Sequence, residues 1–295
     1  MHALRIILER FGLTDSDLVA EGGESTVFAL GSDKILRVGR SGVTLTTRKY
    51  ELVHEISSHG LPWAVPRLLD HGSVGDRHYA IETGLPGRSL DIVLQRLDGK
   101  PRVRALRNYA EGALRIREAR IRRPWFGELY HEPPVRRETW PAYLEERARL
   151  QIGKAGEAFA AEVPGLEEAM QRFVTDIKTL GPIDVGLVHG DYFPGNVLVD
   201  EDLEITGVID FGWSTLMGDP RLDAVCASAF LEVDRPWCTP VDAELVRQYV
   251  VERDPSVASV FDVYRTFCAL HFSFVIHYGI PLYRWCVQAL REGPP

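Results

Sequence analysis

Cysteine is scarce in this 295-residue sequence, and its cysteines are widely separated. The four residues, Cys226, Cys238, Cys268 and Cys286, include no C-x-x-C pair. Without such a spacing, neither a zinc site nor a disulfide framework is indicated. We therefore expect reduced and mostly buried thiols, as in a cytoplasmic protein.

Long apolar runs are missing as well. Nowhere do roughly 18 apolar residues follow one another, so the sequence predicts no transmembrane helix. The N-terminal stretch M-H-A-L-R-I-I-L-E-R has an apolar run of only three residues and an acidic residue within its first ten, unlike a signal peptide. We expect a cytoplasmic protein without a membrane partner.

Positive charge is in the minority. Lys and Arg number 34 against 42 Asp and Glu, and the formal net charge is −8. This balance argues weakly against nucleic acid as the main partner and weakly for a cationic one, and excess acid that only keeps the surface soluble explains it equally well. The basic stretch from Arg96 to Arg123 lacks the interleaved aromatic residues of a single-strand binder, and we interpret it as a solvated face.

The segment from His189 to Gly212 carries the strongest functional signal. It opens H-G-D-Y-F-P-G-N-V-L-V-D and closes V-I-D-F-G. Phosphoryl transfer needs one carboxylate that accepts the proton of an attacking hydroxyl, and hard oxygen ligands for magnesium. Asp191, Asn196 and Asp210 supply these groups. The competing interpretation is a polar turn between two strands.

This segment resembles the catalytic loop and metal-binding segment of the aminoglycoside phosphotransferase family, whose members are small-molecule kinases with the protein-kinase fold. The resemblance implies that Asp191 is the catalytic base and that His189 supports the loop. It also implies that Asn196 and Asp210 bind Mg²⁺. A later G-D-P followed by Asp223 matches the family too, and there this acid supports the catalytic loop through hydrogen bonds.

The resemblance implies an α+β, bilobal protein-kinase-like fold. Its N-terminal lobe would hold a small antiparallel sheet with one main helix, and its larger C-terminal lobe would be mostly helical. We place the nucleotide-binding lobe in residues 1–84 and the catalytic and substrate-binding lobe in residues 85–295, with the hinge at about 82–88. At Glu82 and Gly84 adenine is expected to bond to backbone groups, although a plain linker would look similar.

Patterns near the N-terminus predict a helix followed by strands. Apolar residues at helical spacing cover residues 1–12, and Gly12 ends them. Short β-type runs follow at Asp17–Ala20, Thr26–Leu30 and Lys34–Val38.

The turn between the first two strands is a candidate phosphate loop. Its residues Gly22, Gly23, Ser25 and Thr26 have no bulky side chains, so backbone N–H groups could approach phosphates. The turn lacks the full G-x-G-x-x-G spacing, and most Gly-Gly turns only form hairpins.

The third strand and the helix after it are expected to hold the ion pair of the nucleotide site. The resemblance points to Arg37 as the phosphate-binding base, whereas Lys34 faces the opposite side of the strand. A helical pattern follows over residues 44–58. Within it Glu51 fits best as the acid that orients Arg37, with Glu55 one turn further as the alternative. A surface position competes with each assignment.

We expect an ATP-dependent kinase that transfers the γ-phosphate to a hydroxyl of a small molecule, with ATP and Mg²⁺ as cofactors. An aminoglycoside or a similar amine-bearing compound is the first expectation, and homoserine, choline, a sugar or a macrolide are the alternatives. Family members grip substrate amines with acidic residues of the C-terminal helices. The acidic residues available here are Glu232, Asp234, Asp242 and Glu244.

Two other hypotheses remain. A kinase-fold protein could bind nucleotide without turnover, but Asp191, Asn196 and Asp210 are all intact, which argues against it. Protein kinase activity is disfavoured because no Ala-Pro-Glu segment follows Asp210 and only a short stretch separates Phe211 from Gly218. The sequence leaves the oligomeric state open.

Overall fold

The computed structural model describes residues 2–23, 25–41, 47–130, 133–278 and 280–293, with only the backbone at 277 and 278. Part of the predicted helical pattern, Leu45 included, lies outside these residues. The helices are α1 (His2–Phe11), α2 (Thr47–Ser58), α3 (Leu90–Leu94), α4 (Gly99–Arg115), α5 (Trp140–Glu162), α6 (Leu166–Asp176), α7 (Arg221–Ala229), α8 (Asp242–Arg253), α9 (Phe261–His271) and α10 (Pro281–Glu292). The strands are β1 (Leu18–Glu21), β2 (Ser25–Ala29), β3 (Lys34–Gly39), β4 (Leu68–Val74), β5 (Arg77–Thr83), β6 (Arg88–Ser89), β7 (Phe126–Glu128), β8 (Arg136–Arg137), β9 (Gly186–Val188), β10 (Val197–Val199), β11 (Ile205–Val208) and β12 (Leu216–Gly218).

The first five strands form one antiparallel sheet in the order β1-β2-β3-β5-β4. The three strands expected first are confirmed to within one residue at each end. Helix α1 ends as predicted, because Gly12 adopts a φ of 66° and its N–H bonds to the carbonyl of Glu9. A small hydrophobic cluster joins α1 to the sheet; its members are Ile7, Leu8, Phe28, Leu36, Val38 and Tyr79.

A second and much larger hydrophobic cluster joins the helices that follow the sheet. Helix α2 belongs to this cluster through Leu52, Val53 and Ile56, although it lies between strands of the N-terminal sheet in sequence. An ion pair between Glu55 and Arg123 ties α2 to the same part of the protein. The predicted lobe boundary near Gly84 stays a prediction.

Two small sheets position the segment that carries the functional signal. One has the order β11-β10-β6 and the other β8-β7-β12-β9. Asn196 immediately precedes β10, and Asp210 is the second residue after β11. The antiparallel pairing of these strands therefore brings both residues to one end of the sheet. Together with the N-terminal antiparallel sheet and the mostly helical remainder, this arrangement confirms the predicted α+β fold class.

The cysteines differ from the prediction of reduced thiols. Cys226 of α7 and Cys268 of α9 form a disulfide, whereas Cys238 and Cys286 are free. A sequence separation of 42 residues matches no disulfide spacing rule, and α7 and α9 become neighbours only in the packed helical core. The cytoplasmic location, which rested partly on reduced thiols, stays a prediction.

One helical stretch, Pro255–Ile276, is long and apolar enough to cross a membrane by length and composition alone. The sequence criterion passed over it because Asp262 and Arg265 interrupt its apolar run. The stretch is mostly buried, and Tyr264 and Phe267 belong to the large cluster. A core helix of a globular protein has these properties, so the stretch is weak evidence for a membrane span.

Candidate active site

A tight turn through His189 and Gly190 separates Asp191 from the end of β9. Val188 at the end of β9 pairs with Leu216 of β12. Gly190 then adopts a φ of 76°, and a Cβ at this position would lie 2.2 Å from the carbonyl oxygen of Ser214. Only glycine tolerates both the left-handed backbone and the close approach. The glycine of the H-G-D sequence is therefore a steric requirement of this turn.

The ring of His189 joins two parts of the site. His189 is completely buried; its Nδ1 lies 3.2 Å from the backbone nitrogen of Asp191, and its Nε2 lies 2.9 Å from the carbonyl oxygen of Ile209. Because Nδ1 accepts the Asp191 N–H, the proton of the neutral ring is on Nε2, which donates to Ile209. Burial lowers the pKa of His189 to about 4, so the ring stays neutral. It links Asp191 to the residue before Asp210.

Asp223, in the first turn of helix α7, stabilises the H-G-D turn through two hydrogen bonds. Its Oδ2 accepts the backbone N–H of His189 at 2.7 Å, and its Oδ1 accepts that of Gly190 at 2.9 Å. Burial raises the pKa of Asp223 to about 7. The two hydrogen bonds that its carboxylate accepts lower the pKa, but they do not outweigh burial. Asp223 thus makes hydrogen bonds of the kind that the resemblance implied.

Asn196 is oriented by Asp191. Its Nδ2 donates to the backbone carbonyl of Asp191 at 2.9 Å, and its own carbonyl accepts the N–H of Ile209 at 2.9 Å. Because the amide nitrogen is used in this way, Oδ1 is the atom left for a metal ion. Asn196 is only 6% exposed.

Asp210 forms an ion pair with a lysine of α2. It has a left-handed φ of 67°, which aspartate tolerates better than most residues. Its Oδ1 accepts a bond from Nζ of Lys49 at 2.6 Å. Lys49 lowers the pKa of Asp210 far below its usual range; burial opposes this effect and Arg37 adds to it. The Asp210 side chain is an anion that remains 44% exposed, which suits a metal ligand.

Arg37 lies within a buried polar cluster. Its Nε donates to Glu82 at 2.8 Å and its Nη1 to the hydroxyl of Ser25 at 3.1 Å. The hydroxyl of Tyr50 donates to the same oxygen of Glu82. Burial alone would lower the pKa of Arg37, but Glu82 and Asp210 hold it above its usual value. Burial and the charge of Glu82 raise the pKa of Tyr50, so this hydroxyl keeps its proton.

The expectation that Glu51 orients Arg37 is wrong. Arg37 bonds to Glu82, which comes from the neighbouring strand β5 and not from α2. Glu51 is exposed, because the two residues before it face the site and the helix turns each following residue by about 100°. The alternative, Glu55, bonds to Arg123 at 2.6 and 2.8 Å.

The candidate phosphate loop is a closed hairpin. Gly22 and Gly23 are exposed at its tip, and Ser25 and Thr26 are buried at its base. The N–H of Gly22 donates to the carbonyl of Ser25 at 2.9 Å, so this N–H is already used. Phosphate binding by the four residues stays a prediction.

At the expected hinge, the backbone N–H of Gly84 and the side chain of Glu82 already form hydrogen bonds within the protein. The N–H of Gly84 donates to the carbonyl of Asp33 at 2.7 Å, and a Cβ on Gly84 would lie 3.0 Å from that residue. The side chain of Glu82 is buried and bonds to Arg37. Adenine binding by either residue stays a prediction, and the Gly84 N–H does not face an open site.

The oxygen atoms around Asp191 fit a magnesium ion. Asn196 Oδ1 and the carboxylates of Asp191 and Asp210 are hard ligands, the type that magnesium prefers. Among the described residues no group of three or more His, Cys, Asp and Glu side chains forms a metal site. Magnesium is commonly held by one or two carboxylates together with substrate phosphates, so this small donor set is compatible with the ion.

Two of the four acidic residues that the sequence offers for gripping substrate amines, with a solvated position favoured for each, form ion pairs with arginines. Glu232 forms an ion pair with Arg265 at 2.7 Å. Asp242 is 1% exposed and pairs with Arg102. Asp234 is exposed. Asp242 is therefore part of the core, where its charge is balanced by arginine, and is not a solvated or substrate-facing acid.

Sequence reasoning missed Lys49 and Tyr50, which contact Asp210 and Glu82. One signal was available for the lysine. It stands in the first turn of α2, which contains no acidic residue, and a cation there opposes the helix dipole. A lysine that is unfavourable at the start of its own helix suggests that an anionic partner elsewhere in the fold stabilises it.

Comparison with known proteins supplies the family. The profile of the phosphotransferase enzyme family matches residues 17–262, well over half of the chain. The chain belongs to this family. Membership confirms the resemblance seen in the H-G-D segment, and it makes the protein a small-molecule kinase. No curated protein sequence matches the chain.

Several solved structures resemble this family member. APH(2'')-IIa in a ternary complex with streptomycin and ATP has a TM-score of 0.62 and 16% identity, over 99% of this chain and 95% of that one. Aminoglycoside phosphotransferase APH(2'')-Ib with ADP bound has a TM-score of 0.61 and 16% sequence identity, over 98% of this chain and 96% of that one. A candidate fructosamine-3-kinase from Haemophilus somnus 129PT has a TM-score of 0.60 and 14% sequence identity, over 98% of this chain and 97% of that one. At these identities the likeness shows the fold, which is kinase-like as expected.

Proposed function

We propose that this family member transfers the γ-phosphate of ATP to a hydroxyl group of a small molecule, with Mg²⁺ bound at Asn196 and Asp210. The observation that supports the proposal most directly is the bridge made by the buried ring of His189. It accepts the N–H of Asp191 and donates to the carbonyl of Ile209, which precedes Asp210. The proposed base and the proposed metal ligands are thereby held in one hydrogen-bonded unit.

Asp191 would act as the base. Its carboxylate accepts the proton of the acceptor hydroxyl while the hydroxyl oxygen attacks the γ-phosphorus in line. The bond between the γ-phosphorus and the bridging oxygen breaks, and ADP leaves. Asp223 and His189 keep the Asp191 backbone in place. When bound, Mg²⁺ neutralises charge on the phosphates.

An amine-bearing acceptor, with aminoglycosides first, is proposed from the net charge of −8 and from the streptomycin complex of the similar structure. A metabolite kinase is the second candidate. It is favoured by the engagement of Glu232 and Asp242 with arginines and by the similarity to the fructosamine-3-kinase candidate. The two candidates share the chemistry at Asp191 and differ in the acceptor.

The test is magnesium-dependent ATP consumption against a panel of aminoglycosides, macrolides, amino alcohols, homoserine, sugars and fructosamines. Asp191→Ala should lower kcat by about 10²-fold or more while ATP still binds. Asp184→Ala, which removes an exposed acid in the loop before β9, is the matched control and should retain full activity.

Turnover that survives Asp191→Ala would remove the assignment of the base. ATP binding without consumption for any acceptor would favour a nucleotide-binding protein without turnover. Phosphorylation of a metabolite such as homoserine, choline, a sugar or a fructosamine, with no turnover of aminoglycosides, would favour the metabolite kinase.

A further inference from the structure

Two cations lie near Asp210, and the protein uses them differently. Arg37 is committed to internal contacts: Nε bonds to Glu82 and Nη1 to Ser25. The Arg37 side chain is only 11% exposed and that of Glu82 2%. This guanidinium uses two of its five N–H donors to hold a buried carboxylate and a buried hydroxyl, so it cannot turn to a ligand without breaking both hydrogen bonds.

Lys49 is the second cation, and its contacts are of another kind. Nζ lies 2.6 Å from Oδ1 of Asp210, whose side chain is 44% exposed. A Cβ on Gly212 would lie 3.7 Å from the same Nζ, so the ammonium group also borders the chain after Asp210. An ammonium has three donors on a flexible stem, so it can change partners at low cost.

The position of Lys49 in α2 concentrates positive charge at this point. Lys49 is the third residue of the helix, whose first turn contains no acidic side chain. The start of a helix carries a partial positive charge, to which Lys49 adds its own. Arg37 adds a further positive charge, which also acts on Asp210. An anion would be attracted to the space between the helix start and Asp210.

We propose that Lys49, rather than Arg37, binds the phosphates of the nucleotide, and that it exchanges Asp210 for a phosphate oxygen when nucleotide and metal ion bind. This inference rests on the proposed function. A divalent cation at Asp210 would repel the adjacent ammonium, and a phosphate oxygen gives the ammonium a new anion. Each charge keeps a partner throughout. Arg37 is then a positioning residue that fixes Glu82 of β5 and Ser25 at the base of the hairpin.

Calorimetric titration of the full-length protein tests this division. In the presence of Mg²⁺, Lys49→Met should weaken ATP binding by about 10- to 100-fold, which corresponds to the loss of one charge-assisted hydrogen bond. Adenosine, which has no phosphate, should bind the variant as it binds the wild type. Lys49→Arg should recover most of the ATP affinity. The matched control is Lys34→Met, which removes an exposed lysine on β3 and should leave ATP affinity unchanged.

Thermal unfolding without nucleotide supplies the readout for Arg37. Arg37→Met should lower the Tm clearly because it leaves Glu82 buried and unpaired, whereas Lys49→Met should change the Tm little. The inference is overturned if the Lys49→Met variant binds ATP as tightly as the wild type does, or if the substitution weakens adenosine binding as much as ATP binding. A wild type that binds ATP but is insensitive to Lys49→Met refutes this inference alone. A wild type that binds no nucleotide removes the proposed function as well.

Discussion

The pH dependence of stability should reveal the buried carboxyl of Asp223. Its pKa rises from 3.8 to about 7 on folding because burial outweighs the two backbone bonds that it accepts. Between these values the unfolded chain has released the proton while the folded protein still holds it, so rising pH favours unfolding. This contribution to stability is complete below about pH 4 and is lost by about pH 7.

The size of the effect follows from the same values. A tenfold change in proton affinity corresponds to about 1.4 kcal/mol, so a pKa raised from 3.8 to about 7 removes on the order of 4 kcal/mol. Asp223→Asn keeps the shape of the side chain but cannot ionise. The difference in unfolding free energy between wild type and Asp223→Asn should therefore shrink by an amount of this order as the pH rises.

Urea denaturation of both proteins at several pH values between about 4.5 and 7.5 measures this difference. Because other groups titrate in both proteins, only the difference between them isolates Asp223. Asp184→Asn, in an exposed loop position, gives the background for a surface change. A difference that stays constant over this range would refute the reasoning, because an Asp223 with a low pKa is ionised in both the folded and the unfolded state at these pH values. A constant difference would show that the bonds from the N–H groups of His189 and Gly190 outweigh burial and hold Asp223 as an anion.

The remaining predictions concern stability at single sites. Gly190→Ala should lower the Tm by several degrees and abolish turnover, because its Cβ would lie 2.2 Å from a backbone oxygen, whereas Gly153→Ala in α5, with open space around it, should be neutral or stabilising by about 0.5–1 kcal/mol. Arg37→Met should cost about 3–5 kcal/mol in urea denaturation, and a second change, Glu82→Met, should recover part of this loss by removing the unpaired charge. Tyr50→Phe should cost about 1–2 kcal/mol by the same measurement, because Glu82 loses one donor; an unchanged value would show that water replaces the hydroxyl.

The candidate catalytic segment could be recognised in the sequence because its information is local. Asp191 and Asn196 stand between β9 and β10, and Asp210 follows β11, so all three lie in one short segment of the chain. The chemistry of phosphoryl transfer restricts the residue types at each place. Strand boundaries and the cap at Gly12 followed from equally local rules. Such features depend on neighbouring residues, so a single sequence displays them.

The ion pairs of the site were not predictable, because they join distant parts of the chain. Lys49 and Asp210 are 161 residues apart, and Arg37 and Glu82 are 45 apart. Periodicity identified the apolar face of α2 but not the direction of its polar residues. A rotation of about 200°, or two residues, decides whether Lys49 or Glu51 faces the site. Packing against the helical core sets that rotation.

The attachment of α2 has a consequence for how the chain can be divided. The helix supplies Leu52, Val53 and Ile56 to the large cluster, and Glu55 bonds to Arg123. A fragment that ends at Gly84 would expose this stripe to water, because most of the cluster lies further along the chain. The N-terminal sheet and α1 have their own small core, but a fragment that includes α2 should be prone to aggregate. The boundary between the proposed nucleotide-binding and substrate-binding parts is thus not a boundary between units that fold independently.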